Sequence, residues 1–264
     1  SDILCDLSNY DSYIDLPNFD MLIHCASLAH KIPKTKEEVS AFFNLNVTGT
    51  RKLLKNISYN NIYPKYLVYI SSVSVYGLDH GNYVNEDFPL LAKDPYGLSK
   101  IEAEKEILKW SKLNKVSCTI LRLPLLIGQN PKGNLLKMIN GIKKGFYFNI
   151  DGGRAKKSMV LAEDVAKIIV KSAKKGGIYN LTDTYHPNFN EISRLISEKL
   201  ESKMPYNINL TFAKILSCVG DIFNIFPFNS RTLKKMTNDL TFCDKKAFIK
   251  LGWKPKKVIE NYKL

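Results

Sequence analysis

Three short apolar runs, FDMLIHCAS (19–27), YLVYISS (66–72) and VSCTILRL (116–123), stop at small or polar residues and are separated by long stretches of helical period. Apolar runs without in–out alternation suit strands buried on both faces. Strands of that kind alternating with helices build a parallel sheet with helices packed on it. The first intervening stretch, KTKEEVSAFFNLNVTGTRKLLKNIS (34–58), places Val39, Phe42, Phe43, Val47, Leu53 and Leu54 on a helical stripe. The second begins at DPYGLSK (94–100) and continues through IEAEKEILKWSKL. Asp94 suits its N-cap and Pro95 its first helical position. LAEDVAKIIVKSA (161–173) reads as an amphipathic helix, GIYNLTD (177–183) as a strand, and the chain beyond about residue 186 as helix-rich. The opening SDILCDLS reads as the tail of a strand ending at Asp6 and Leu7. The expected fold class is α/β, a doubly wound parallel sheet with a smaller helix-rich lobe.

Charge narrows the partners. The 264 residues carry a net charge of +14, mostly from dispersed lysine. Dispersed charge marks a solvated surface, and its sign favours anions such as a nucleotide-linked substrate or an acidic membrane surface. Nucleic acid is not expected, because zinc-finger spacing, RNP-like aromatics and basic heptads are all missing from the sequence. Five widely spaced cysteines form no CxxC pair and the histidines no metal-ligand spacing, so no metal site is expected. Cys25 and Cys118 read as reduced core residues, and the expected location is the cytoplasm. The apolar stretch LTFAKILSCVGDIFNIFPF (210–228) contains Lys214 and Asp221 and ends near Pro227. It reads as a core or interface helix without stable membrane insertion, contact at a membrane surface being the lesser alternative.

In a doubly wound sheet ligands bind beyond the carboxyl ends of the strands. Three such ends carry Ala26-Ser27, Ser71-Ser72-Val73-Ser74 and Leu123-Pro124. The helix containing Tyr96 and Lys100 starts between the second and the third. Residues four apart share a helix face, so both side chains can point at the cleft and Ser72 can meet them from the strand. A phenol with an ordinary pKa near 10 is a weak base, but a nearby ammonium and the positive helix start favour its anion. Tyr96 could then take the proton of an alcohol while hydride leaves the same carbon, with Ser72 bonded to the oxygen. The plainer alternative makes Tyr96 an amphipathic core residue, Lys100 a solvated side chain and the serines an ordinary strand exit.

The ordered segments CDL (5–7), DMLIHCAS (20–27), NVTGT (46–50), YISSVSVYG (69–77), DPYGLSK (94–100), LRLPLLIG (121–128), KSMVLAEDVAKII (157–169) and LGWKP (251–255) cover nearly the whole chain. Together they resemble the extended short-chain dehydrogenases, the NAD-dependent epimerase/dehydratase group. The resemblance implies a Rossmann-like dinucleotide-binding domain at 1–128 and 158–184, and a substrate-binding lobe at 129–157 and 185–264. It implies Ser72, Tyr96 and Lys100 as the catalytic triad, Lys100 also holding the cofactor ribose. Asp6, Leu7, Ala26 and Ser27 would border the adenosine half of NAD, and Leu123 and Pro124 its nicotinamide. Ser74, Asn134 and Lys157 would face the sugar substrate, with Lys157 standing where the family often has an arginine for the pyrophosphate. Lysine keeps that charge without the bidentate fork.

The family opens with a GxxGxxG turn at a helix start that holds the pyrophosphate, and no such turn occurs in these 264 residues. The resemblance therefore implies an N-terminally incomplete copy, with an apolar edge exposed at strand 19–24. Dehydratases of the family place Asp-Glu just after the catalytic hydroxyl residue, where Val73 and Ser74 stand here. Dehydration is thereby disfavoured. A UDP-sugar 4-epimerase working through transient oxidation of a sugar hydroxyl is the favoured expectation. A nucleotide 4-keto-sugar reductase and a non-catalytic relative of the fold are the alternatives. NAD is the expected cofactor with NADP open, and a homodimer is an open alternative.

Overall fold

The computed structural model describes residues 5–7, 15–29, 31–222 and 228–263. In chain order, β1 (Met21–His24) leads to α1 (Lys36–Phe43), a π-helical segment over Asn44–Gly49, and α2 (Thr50–Tyr59). Next come β2 (Tyr66–Ser72), β3 (Gly81–Val84), α3 (Pro95–Leu113) and β4 (Ser117–Leu123). The middle contains β5 (Leu125–Ile127), α4 (Gly133–Lys143), β6 (Phe148–Ile150), β7 (Met159–Leu161), α5 (Ala162–Ala173) and β8 (Gly177–Asn180). Then follow α6 (Phe189–Lys199), β9 (Tyr206–Ile208), α7 (Leu210–Ile222) and α8 (Ser230–Thr237). β10 (Leu240–Phe242), α9 (Lys245–Leu251) and α10 (Val258–Asn261) complete the described chain.

The main sheet is parallel throughout, in the order β1-β2-β4-β8. Successive residues of its strands are buried on opposite faces, which is why the sequence shows continuous apolar runs. Leu67, Tyr69 and Ile120 pack with Leu54, Ala103 and Ile107 of α2 and α3. Val68, Leu121 and Tyr179 pack on the other face with Val165 and Ile168 of α5 and with Ala247 and Leu251 of α9. Trp253 joins that second core and donates its indole N–H to the Thr182 carbonyl at 2.9 Å. The LGWKP segment thus closes the sheet's core, although it lies in sequence within 185–264.

A third cluster gathers Ile127, Leu135, Ile139, Ile192, Ile196 and Tyr262 from β5, α4, α6 and the region of α10. The helices α7 and α8 pack on the small sheet β6–β9 through Ile150, Ala213, Phe228 and Leu233. Two further small parallel pairs, β5–β7 and β3–β10, tie the main sheet to these layers. The short strands β3, β5, β6, β9 and β10 lie outside the long apolar runs that marked the main sheet and were not foreseen.

Several expectations change. Cys5–Leu7 form no strand, and Leu7 lies in a turn; residues 1–4 lie outside the described residues. Cys25 is exposed rather than core, because it stands just past His24, the last paired residue of β1; Cys118 is half-buried. Among the described residues β1 pairs only with β2, and Ile23, on one face of the sheet, is 44% exposed. The stretch from 210 is no core helix: α7 buries only Ala213, Ser217 and Gly220. Residues 223–227 of that stretch lie outside the described residues. Among the described residues no helix is long and apolar enough to cross a membrane, and no group of His, Cys, Asp and Glu could hold a metal.

Candidate active site

The parallel register pairs Ser72 with Leu123, so β2 and β4 end at the same level. α3 starts there. Asp94 takes the extended backbone of an N-cap, accepts the Gly97 N–H at 3.1 Å, and is followed by Pro95 at the helix start. This cap sets Tyr96 and Lys100 on successive turns facing β2. Gly97 lies between them for a steric reason: a Cβ there would sit 2.6 Å from Ala92 Cβ and 2.8 Å from the Ser74 carbonyl oxygen. Only glycine lets the helix start approach the β2 exit so closely.

Ser72 ends β2 and caps the 3-10 turn Val73–Tyr76, its Oγ accepting the Ser74 N–H at 3.1 Å and lying 3.1 Å from Ser74 Oγ. The Tyr96 phenol faces the Ser72 hydroxyl, which acts to favour its anion, and its ring lies 6.2 Å from that of Phe42. Lys100 is 1% exposed; its ammonium donates to the Ile70 carbonyl at 2.7 Å and rests 4.0 Å over the Tyr69 ring. The phenol is thus set toward the Ser72 end of β2 and the ammonium against the strand at Tyr69 and Ile70.

The electrostatics differ from expectation in one respect. Burial pushes the Tyr96 phenol above its ordinary value, against the opposing effect of the Ser72 hydroxyl. Burial also pushes Lys100 down to about 7, with Glu104 acting in the opposite direction. The protein's own surroundings thus do not form the phenolate. They hold a neutral phenol beside an amine that titrates near neutrality, and each charge would stabilise the other.

Two supporting constellations escaped sequence reasoning. Asn46, fully buried in the π-helical segment, accepts the Leu28 N–H at 2.7 Å and the Ser27 hydroxyl at 3.2 Å. Its amide donates to the Leu28 carbonyl at 3.1 Å and to Ser99 Oγ at 2.9 Å, while Ser99 donates to the Tyr96 carbonyl at 2.8 Å. One side chain thereby locks the β1 exit to the helix bearing Tyr96. Its signal was an asparagine on the apolar stripe of NLNVTGT, at the place where the helix widens into a π turn, a feature frequent at functional sites.

The second is a buried ion pair. Arg122 of β4 donates to both oxygens of Glu104, at 3.1 and 2.7 Å, and Ser71 donates to Glu104 at 2.5 Å. Arg122 also donates to the Tyr76 hydroxyl at 3.1 Å, which donates onward to Asn180 at 2.8 Å. Its signal was the lone Arg within the apolar run TILRL, because a charge buried in a strand needs a partner.

His24, at the end of β1, is buried with its Nε2 2.8 Å from Thr50 Oγ1, and burial pushes it down to about 4. An unfolded histidine titrates near 6.5 and so takes up its proton first as pH falls. Stability from this group is full above that pH and is lost between about 6.5 and 4, a loss of ~3 kcal/mol. Urea denaturation at pH 7 and pH 4 should show the loss shrinking by that amount in His24→Gln. An equal loss in both proteins would remove His24 from the account.

The remaining expected positions are scattered in role. Ala26 is exposed past β1, Ser27 is half-buried and bonded to Asn46, and Leu123 and Pro124 form the β4 exit. Asp6 is exposed and Leu7 half-buried, with Leu7 packed close to Gly49 of the π-helical segment. Ser74 sits beside Ser72, and Asn134 is exposed at the start of α4. Lys157 is half-buried, donates to the Asn238 carbonyl at 2.8 Å, lies 5.9 Å from the Phe189 ring, and is pushed down to about 8 by burial. The donor set fits the ribose–nicotinamide half of a dinucleotide: a buried ammonium gives one of its three N–H groups to Ile70 and stands level with the strand exits.

The model of the NAD dependent epimerase/dehydratase family matches residues 3–182. The chain is 30% identical over 174 residues to N-acetyl-alpha-D-glucosaminyl-diphospho-ditrans,octacis-undecaprenol 4-epimerase of Escherichia coli O157:H7, across 63% of this chain and 51% of that protein. It is 28% identical over 166 residues to UDP-glucose 4-epimerase of Vibrio cholerae, across 61% and 49%. The matched stretch thus spans about half the length of these two relatives. Among solved structures, RMD from Pseudomonas aeruginosa complexed with NADPH superposes with a TM-score of 0.74 over 98% of this chain and 84% of that one, at 19% identity. That likeness describes the fold.

Proposed function

Because the chain belongs to the NAD dependent epimerase/dehydratase family, we propose that it inverts a sugar carbinol at C4, with a UDP-hexose as substrate. The observation that carries this reading is the placing of Tyr96 and buried Lys100 one helical turn apart on α3, with the phenol toward Ser72 and the ammonium on the Ile70 carbonyl of β2. When bound, NAD supplies the acceptor and later the donor of hydride at the sugar carbon. The protein's part is proton management and positioning. Tyr96 takes the proton of the C4 hydroxyl and returns it on the reverse step. Ser72 donates to the same oxygen as it becomes a carbonyl. Lys100 holds the ribose hydroxyls with its remaining N–H groups, and its charge supports the phenolate.

The exits at Ala26-Ser27 and Leu123-Pro124 border the cofactor, with Asp6 and Leu7 on its adenosine side. Ser74 and Asn134 face the sugar, and Lys157 answers the diphosphate with a single charge rather than a fork. Val73 and Ser74 supply no acid–base pair, which disfavours elimination of water. The carrier has a second reading. The Escherichia coli relative acts on a sugar joined through a diphosphate to a polyprenol, so a lipid diphosphate could replace the nucleotide at Lys157.

Calorimetry and product analysis test the proposal together. The full chain should give heat with NAD or nicotinamide mononucleotide, and should interconvert the C4 epimers of a UDP-hexose without consuming NADH. Stoichiometric consumption of NADH or NADPH would replace the proposal with a 4-keto-sugar reductase. Heat from neither cofactor nor sugar nucleotide would make the chain a non-catalytic relative of the fold.

A further inference from the structure

One side of α7 is apolar and bare. Phe212, Ile215, Val219 and Ile222 recur at three- and four-residue steps and are 51%, 58%, 45% and 74% exposed. Such steps place side chains on one face. The small residues Ala213, Ser217 and Gly220 take the opposite, buried side, where a Cβ on Gly220 would overlap the Phe228 carbonyl oxygen. The helix is therefore seated by its small side, and its large apolar side chains point away from the protein. From Phe212 to Ile222 this strip is about 15 Å long.

Charge around the strip is predominantly positive. Exposed Lys214 lies on α7 itself, and exposed Arg231, Lys234 and Lys235 lie on α8, which packs against α7 through the shared Ala213–Leu233 core. The nearby carboxylate Asp221 is engaged by both the N–H and the hydroxyl of Ser230. An apolar strip flanked by cations is the pattern of a helix lying in the plane of a lipid interface. There the apolar side chains enter the headgroup–acyl boundary, and lysine stems extend so that their ammoniums reach lipid phosphates.

We propose that the exposed face of α7, with the cations of α8, docks the protein peripherally on an anionic lipid bilayer. A second copy of this chain is a poorer occupant, because pairing the two faces would bring like cations together in molecules of net charge +14 each. Crossing of the bilayer is not implied, since no described helix is long and apolar enough. The inference does not depend on the reaction proposed above.

Flotation of the full chain with vesicles tests it. Vesicles of equal parts phosphatidylcholine and phosphatidylglycerol should carry the protein, and vesicles of phosphatidylcholine alone should not. Lys234→Gln with Lys235→Gln should weaken binding roughly fivefold per cation removed. Ile215→Ser with Ile222→Ser should abolish it, while circular dichroism and thermal midpoint stay at the parent values because both residues are exposed. No flotation with the anionic vesicles would overturn the proposal. So would parent protein that sediments as a dimer and becomes monomeric in the Ile215→Ser, Ile222→Ser variant, since the face would then belong to a second copy.

Discussion

Replacing Tyr96 with phenylalanine is expected to lower epimerase turnover by roughly 10²–10⁴-fold, the usual worth of a positioned acid–base group. The fold should survive. The variant loses one hydroxyl that faces Ser72, a net cost of no more than ~1 kcal/mol, while the ring stays packed beside Phe42. Heat of cofactor binding should therefore persist, because the proposal assigns that contact chiefly to Lys100. Turnover, denaturation and calorimetry on one preparation separate the outcomes. Parent-like turnover in Tyr96→Phe would refute the phenol as the base, whatever the other two measurements gave.

The second large effect is structural. Glu104→Ala is expected to cost ~3–5 kcal/mol, because it strands Arg122 as an unpaired buried charge. Glu104 and Arg122 are only 2% and 3% exposed, so water cannot replace the lost partner. Removing both charges together, as Glu104→Met with Arg122→Met, should recover most of that stability, since a buried pair gains little over well-packed apolar groups. Activity should separate from stability in the double variant. Glu104 opposes the downward push on Lys100, so without it Lys100 should lose its proton at still lower pH and bind cofactor ribose less well at neutrality. Urea denaturation of the single and double variants decides the matter. A double variant no more stable than Glu104→Ala would show that the pair does more than neutralise itself.

These two residues mark where sequence reasoning succeeded and where it stopped. Tyr96 stood out because the Asp-Pro pair before it names a helix start and the serine-rich exit before that names a strand end. Both were found where expected: α3 begins at Pro95 and β2 ends at Ser72. Glu104 carried no such mark. In sequence it is one of several glutamates in IEAEKEI, and only the packing of α3 against β4 distinguishes it from half-buried Glu102 and Glu106, which pair with Lys105 and Arg51. Asn46 was visible as an oddity on an apolar stripe, but its four hydrogen-bonding contacts come from one loop, at Ser27 and Leu28, and one helix, at Ser99, brought together by the fold. The phenol's upward push was also beyond reach, since it depends on burial and not on the neighbouring lysine that suggested the opposite direction.

Periodicity and capping chemistry are local, and through them the sequence by itself determined the parallel sheet, the order of its elements and the helix that begins at Asp94. A stripe of apolar residues, however, states only that a face avoids water, not what will cover it. The same kind of stripe packs α5 into the sheet's core and leaves α7 bare, because only the assembled structure has a surface waiting for one and none for the other. Partnership across long separations, as between Arg122 and Glu104 or Asn46 and Ser99, was likewise decided by tertiary packing, where burial makes each polar group depend on one particular neighbour.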